Sequence, residues 1–261
     1  MPREGKPDPE PDSPLEVPTE HSSDEVEWGL AFEPGGVLGD RYRIRSALGA
    51  GGMGEVWHAF DLKLRVEVAL KGVRPELVVD ENRRESLRSE VRAAREVVSP
   101  NVCRVFDLIE IDGQELVYME YVDGTTLLEV LRKRAPLDPP EAQEIASQVL
   151  AGLEAIHQVG LVHRDVKPEN LMVTRTGRVV VMDFGLARSA AEGAGTVSGT
   201  RAYMAPEQAE GVTDARSDLF SAGVILAEMV SPGGIRDFES RKGVWDGVRS
   251  EPVRVPYSPW D

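Results

Sequence analysis

His163-Arg164-Asp165-Val166-Lys167-Pro168-Glu169-Asn170, followed thirteen residues after Asn170 by Asp183-Phe184-Gly185, is the stretch on which the reading of this chain turns. It places two carboxylates, one side-chain amide and one lysine where a phosphoryl group and its metal ions can be held. A lone Asp-Phe-Gly arises easily by chance; the pair in this order and spacing does not. Between the two halves, Leu171 to Met182 reads as two short apolar strands around the polar turn Arg175-Thr176-Gly177. A hairpin of that kind returns Asp183 to the neighbourhood of the first carboxylate.

Upstream of this stretch the text is strand-like. Tyr42 to Leu48 alternates as a half-buried strand does, and Glu55 to Phe60, Val66 to Lys71, Val102 to Leu108 and Glu115 to Tyr121 continue the pattern. Residues 82–98 read as a helix with a charged outer face that stops at Ser99-Pro100. Helices then dominate, over about 126–134, 139–158 and 217–230, with a further one near 237–249. A mostly β half followed by a mostly α half, without repeats or βαβ alternation, predicts an α+β fold of two lobes.

Gly49-Ala50-Gly51-Gly52-Met53-Gly54-Glu55-Val56 lies between the first two strands. Glycines there leave backbone N–H groups free to approach phosphates without Cβ obstruction. A dinucleotide-binding turn would lead into a helix, and a Walker loop would place Lys-Ser/Thr after Gly54; neither is present. A dinucleotide-dependent oxidoreductase is therefore excluded. Lys71 ends the Val68-Ala69-Leu70-Lys71 strand, and the next helix carries several acids that can offer it an ion pair.

At 261 residues the chain is long enough for two compact lobes, and its net charge of −15 argues against a general nucleic-acid binder. Residues 1–35 hold ten acids against two bases, and residues 1–38 hold seven prolines. The sequence therefore predicts a disordered acidic tail over 1–38, within which Trp28, Leu30 and Phe32 are candidates for local docking. The single cysteine, Cys103, excludes an internal disulfide and a cysteine-rich zinc site, and is expected to be a buried thiol. No apolar run reaches the ~18 residues of a membrane helix, and residues 1–14 lack a secretory apolar core. A cytoplasmic chain without a membrane span is the expectation.

Taken together, these motifs make the chain resemble the eukaryotic-like (Hanks-type) serine/threonine protein kinases, and Ser99-Pro100-Asn101-Val102 and Ala205-Pro206-Glu207-Gln208 resemble the bacterial branch. The resemblance runs from about Tyr42 to Met229. It implies a bilobal kinase domain over 39–261, with an N-lobe over 39–122 and a C-lobe over 123–261, and ATP bound between them. Asp165 resembles the aspartate that orients the acceptor hydroxyl and takes its proton. Asn170 and Asp183 resemble the ligands of Mg²⁺ or Mn²⁺. Lys167 resembles the lysine that neutralises the transferring phosphoryl group in Ser/Thr kinases, and Thr200 the threonine of the acceptor site. Lys71, fixed by Glu90, would hold the α- and β-phosphates under the loop Gly49, Ala50, Gly51, Gly52, Met53 and Gly54. Glu120 to Val122 would be the hinge facing adenine, with Met119 as gatekeeper and Val56, Ala69 and Met172 around the purine.

The same resemblance implies supporting roles. His163 would pack beneath Phe184 and hold the catalytic loop, and Asp218 would brace that loop's backbone. Arg164 would pair with a phosphorylated Thr196 or Ser198 of the activation segment. One departure stands out: kinases carry further helices after 217–230 and an arginine for the Glu207 position, whereas this text ends at Asp261. The expectation is a C-lobe without its last helices, its open face left to a partner, and a Ser/Thr acceptor protein as substrate. The alternative is a nucleotide-binding scaffold with little phosphotransfer.

Overall fold

The computed structural model describes residues 32–51, 54–74, 80–184 and 202–231. Strands β1 (Val37–Leu38), β2 (Tyr42–Gly51), β3 (Gly54–Asp61) and β4 (Val66–Gly72) precede helix α1 (Glu81–Glu96), and β5 (Val105–Ile111) and β6 (Gln114–Glu120) follow it. They form one antiparallel sheet in the order β1-β2-β3-β4-β6-β5. Alternation builds it: Tyr42 and Ile44 are buried while Arg43 and Arg45 are exposed. In the central β4, Val68, Ala69 and Leu70 are all buried, as a strand covered on both faces requires.

Helix α1 is capped by Asp80, whose side chain accepts from the Arg83 N–H, and it buries Leu87, Val91 and Ala94 on one stripe. Its outer face is laced by Arg88–Glu81 at 2.7 Å and by Arg92 with Glu85. The second half contains β7 (Gly124–Thr126), α2 (Leu127–Arg134), α3 (Pro139–Gln158), β8 (Leu171–Thr174), β9 (Val179–Val181) and α4 (Ala215–Val230). Strands β7, β8 and β9 pair in that order as a small antiparallel sheet. Helix α3 starts on two prolines, which suit a first turn, and buries Ala142, Ile145, Val149, Leu153 and Ile156 at helical spacing. At Gly152 it runs so close to the preceding chain that a Cβ would lie 2.7 Å from the Asn101 oxygen.

The expected class holds: a β-rich lobe followed by a helical one. Three details differ from the sequence reading. The sheet begins inside the stretch assigned to the tail, because Val37 and Leu38 pair with Arg43 and Tyr42 and the Phe32 ring packs edge-on against Trp57 at 5.6 Å. The strand expected from Val102 starts at Val105; Val102 instead bridges to Val181. Strand β7 was not foreseen, since three residues carry no period. Residues 1–31 and the helix expected near 237–249 lie outside the described residues.

Buried polar groups pin the sheet. Asp61 accepts from Arg41 Nε and Nη2 at 3.0 and 2.7 Å and from the N–H groups of Lys63 and Leu64 at 2.9 Å each. Burial alone would push the Asp61 carboxyl upward, but Arg41 and the two backbone donors outweigh it and hold it below the usual range. A depressed folded pKa contributes stability above the unfolded value of about 3.9, and that contribution is lost as pH falls through the folded pKa. Asp61→Asn is therefore expected to cost ~2–3 kcal/mol at neutral pH. The deficit should shrink below about pH 4; thermal unfolding of both proteins at pH 7 and at pH 3 measures it.

Candidate active site

Two turns of backbone set the site. After α3, the segment 163–170 runs under β8, and β8 and β9 form the anticipated hairpin, with Leu171 opposite Val181 and Val173 opposite Val179. The Met182 N–H donates to the Asn170 oxygen at 2.8 Å, which brings the residue before Asp183 onto Asn170. Arg164 (φ 68°) and Asp183 (φ 57°) both take left-handed backbone, a conformation that costs free energy for residues with a side chain and clusters at functional sites.

The surroundings hold these bends. Asp218 of α4, 1 % exposed, accepts the N–H groups of His163 and Arg164 at 2.8 Å each, and His157 Nε2 lies 2.8 Å from the same carboxylate. His163 is buried, and burial lowers its pKa. The Asp165 N–H points to its Nδ1 at 3.3 Å, and its Nε2 lies 2.8 Å from the Met182 carbonyl. A neutral ring with its proton on Nε2 satisfies both contacts, so His163 ties the loop to the strand before Asp183 and does not work as a base. Gln208 was not foreseen: it donates to the Arg164 oxygen at 3.1 Å and accepts from the Ala205 N–H at 2.8 Å. A glutamine following Ala-Pro-Glu was the only available signal.

Around Asp165 the polar groups converge. Lys167 Nζ lies 2.8 Å from Asp165 Oδ2, and Asn170 Nδ2 donates to the Asp165 backbone oxygen at 2.8 Å and to Oδ2 at 3.2 Å. Asp165 Oδ1 is buried and has no hydrogen-bond partner among the described residues. With the Asn170 amide hydrogens in use, its oxygen is the atom left for a cation. Asp183, 36 % exposed, is the second oxygen donor, and its Oδ1 lies 2.8 Å from Lys71 Nζ. No cluster of three or more His, Cys, Asp or Glu able to hold a metal occurs among the described residues. One carboxylate and one amide suit Mg²⁺, which completes its shell with phosphate and water oxygens.

Lys71 corrects one expectation. Its ammonium, almost fully buried, pairs with Asp183 and not with Glu90, which sits half-buried on α1 with contacts of its own. Helix α1, which carries Glu90, is seated in the core by Leu87, Val91 and Ala94.

The residues expected around a purine do meet. Ala69, Cys103, Met119, Val122 and Val180 form one buried cluster, with Val56, Met172 and Met182 packed against it. Cys103 is the buried thiol anticipated, and burial pushes its pKa far up. Strand β6 ends at Glu120, and Tyr121 and Val122 follow it outside the sheet. Of the glycine loop, Gly49, Ala50, Gly51 and Gly54 are described: Ala50 pairs with Glu55 and Gly51 with Gly54 at the tip of the β2–β3 hairpin. Gly54 (φ 145°) has a packing reason as well, since a Cβ there would stand 2.2 Å from the Gly72 oxygen. Gly52, Met53, Thr196, Ser198 and Thr200 lie outside the described residues. Glu207, expected to need an arginine, is only half-buried and accepts from Ser217 Oγ at 2.9 Å.

No helix among the described residues is long and apolar enough to cross a membrane. Residues 42–243 match the protein kinase domain family. The chain is 41% identical over 229 residues to a probable serine/threonine-protein kinase of Corynebacterium efficiens, covering 83% of this chain and 35% of that protein. It is 39% identical over 205 residues to the serine/threonine-protein kinase PknB of Mycobacterium tuberculosis, covering 74% and 33%. The chain thus spans about a third of the length of these curated relatives. The kinase domain of Mycobacterium tuberculosis PknI has a similar structure, with a TM-score of 0.61 and 28% identity over 82% of this chain and 89% of that one. With the catalytic-loop geometry and these likenesses in agreement, the chain belongs to the protein kinase domain family, on its bacterial serine/threonine branch.

Proposed function

We propose that this chain is a protein serine/threonine kinase that transfers the γ-phosphoryl group of ATP to a Ser or Thr hydroxyl of a protein. The observation that carries this is Asp165: its buried Oδ1 has no partner among the described residues, while Lys167 and Asn170 fix Oδ2. An acceptor hydroxyl donating to Oδ1 is oriented by it and gives up its proton there. Lys167 stands beside the same carboxylate and offers positive charge to the transferred group. Lys71 neutralises phosphate charge from the other side, and the apolar cluster around Ala69, Val122 and Met172 takes the purine. Asn170 and Asp183 would hold Mg²⁺ or Mn²⁺, which supplies charge neutralisation at the phosphates. Positioning and neutral charge balance are what phosphoryl transfer chiefly asks of a protein.

Arg164, whose backbone is locked by Asp218 and Gln208, is the residue we assign to a phosphorylated Thr196 or Ser198. The scaffold alternative has no observation in its favour, since each catalytic side chain is present. Incubating the chain with labelled ATP, Mg²⁺ and a basic Ser/Thr-containing protein tests the proposal. Transfer to serine and threonine should be seen and should fall by at least ~10²-fold in Lys71→Met, which removes the charge at the phosphates. Absence of transfer by the wild-type chain, or equal transfer by the variant, rejects it.

A further inference from the structure

The hinge is gripped from both lobes by side chains that take no part in the chemistry above. From the helical lobe, Arg178 Nη2 lies 2.7 Å from Glu120 Oε1; within the N-lobe, the Arg104 backbone N–H donates to Glu120 Oε2 at 3.3 Å. From the sheet, the His58 ring lies flat on the Tyr121 ring, with centroids 3.8 Å apart and planes 6° from parallel. His58 Nε2 is 2.7 Å from Glu67 Oε2, and Glu67 also receives Arg45 Nη2 at 3.4 Å. The guanidinium of Arg45 in turn lies 5.1 Å from the centre of the Phe60 ring.

Strand geometry explains the reach. His58 is opposite Ala69 in the β3–β4 register, and Val56 is two residues earlier on the same strand. Side chains two apart on a strand, and those directly opposite across a ladder, share a face. Val56 and Ala69 line the apolar purine cluster, so His58 stands on that face, one step toward the hinge. Its ring meets Tyr121, the residue between Glu120 and Val122.

We infer that His58 is a positioning residue for the nucleotide: by stacking on the Tyr121 ring it sets the peptide groups of Glu120 and Val122 before adenine arrives. The inference rests on the reading of Glu120–Val122 as the adenine-facing hinge. A peptide already fixed in its binding geometry loses less conformational freedom on binding, and that difference appears as affinity. The ring stack is the element that transmits order to the hinge.

Binding of Mg-ATP to the 261-residue chain by calorimetry, with steady-state kinetics beside it, decides the matter. His58→Ala should weaken Mg-ATP binding and raise KM for ATP by about five- to tenfold, with kcat within about twofold, because loss of pre-organisation falls on binding. His58→Phe retains a flat ring and should recover wild-type affinity. Tyr121→Ala should match His58→Ala, and the double variant should be no weaker than either, the mark of one shared interaction. Unchanged affinity in His58→Ala, failure of phenylalanine to restore it, or additive losses in the double variant each overturn the inference. A wild-type chain that binds Mg-ATP without transferring phosphate rejects the kinase reading alone, and the same affinities still decide the role of His58. A wild-type chain that binds no nucleotide rejects both.

Discussion

Asp165→Asn is expected to lower phosphoryl transfer by about 10²–10⁴-fold, the range associated with loss of a positioned general base. The substitution changes one oxygen to NH₂ without changing shape. Should the amide oxygen take the Oδ2 place, the NH₂ occupies the site of Oδ1, which has no partner among the described residues, and cannot accept a hydroxyl proton. In the other orientation the NH₂ confronts two donors, Lys167 Nζ and Asn170 Nδ2. Neither arrangement leaves a base. Lys71, Asp183 and the purine cluster are untouched, so KM for ATP should stay within about twofold. Steady-state kinetics measure both quantities, and a variant within tenfold of wild-type kcat would remove Asp165 from the mechanism.

Asp218→Ala should damage stability and activity together. One buried carboxylate serves the N–H groups of His163 and Arg164 and the ring nitrogen of His157. Each buried donor left without an acceptor costs about 1–3 kcal/mol, so the three together cost roughly 3–9 kcal/mol. Folded domains hold only about 5–15 kcal/mol in reserve. The unfolding midpoint should fall by ~10 °C or more. The left-handed turn at Arg164 loses its anchor, and displacement of the neighbouring Asp165 by even ~1 Å can cost 10²-fold in rate. Asp218→Asn keeps one acceptor but sets an NH₂ against another donor, and should fall between wild type and alanine. Thermal unfolding, with assays run below the variant's midpoint, separates the two losses. An Asp218→Ala chain with wild-type midpoint and rate would show that the loop is held by something else.

Much of this was legible because the informative residues act over short distances. The hairpin between Asn170 and Asp183 follows from apolar runs around a Thr-Gly turn, and the helices α1 to α4 follow from caps and spacing. The residues expected around a purine come from the resemblance to protein kinases, and the strands that carry them were legible from their alternation. What escaped depends on packing between elements far apart in the chain. Glu90 is singled out by its ten-residue distance before Pro100, a family spacing, yet Lys71 pairs with Asp183, 112 positions away. The stack of His58 on Tyr121 joins residues 58 and 121, each of which reads as an ordinary strand-edge residue alone. Strands β1 and β7 are too short for a period to appear, and become strands only because β2 and β8 offer them partners.

The β8–β9 hairpin has one more effect. Asn170 and Asp183 are joined by about a dozen residues, whereas Lys71 meets Asp183 across 112 positions. Entropy lost on ring closure grows with the logarithm of contour length, so the short circuit is the cheaper to close. A chain still collapsing therefore brings Asn170 and Asp183, the side chains proposed to face a cation, together as a self-contained module, and acquires the opposing ammonium when the two halves dock.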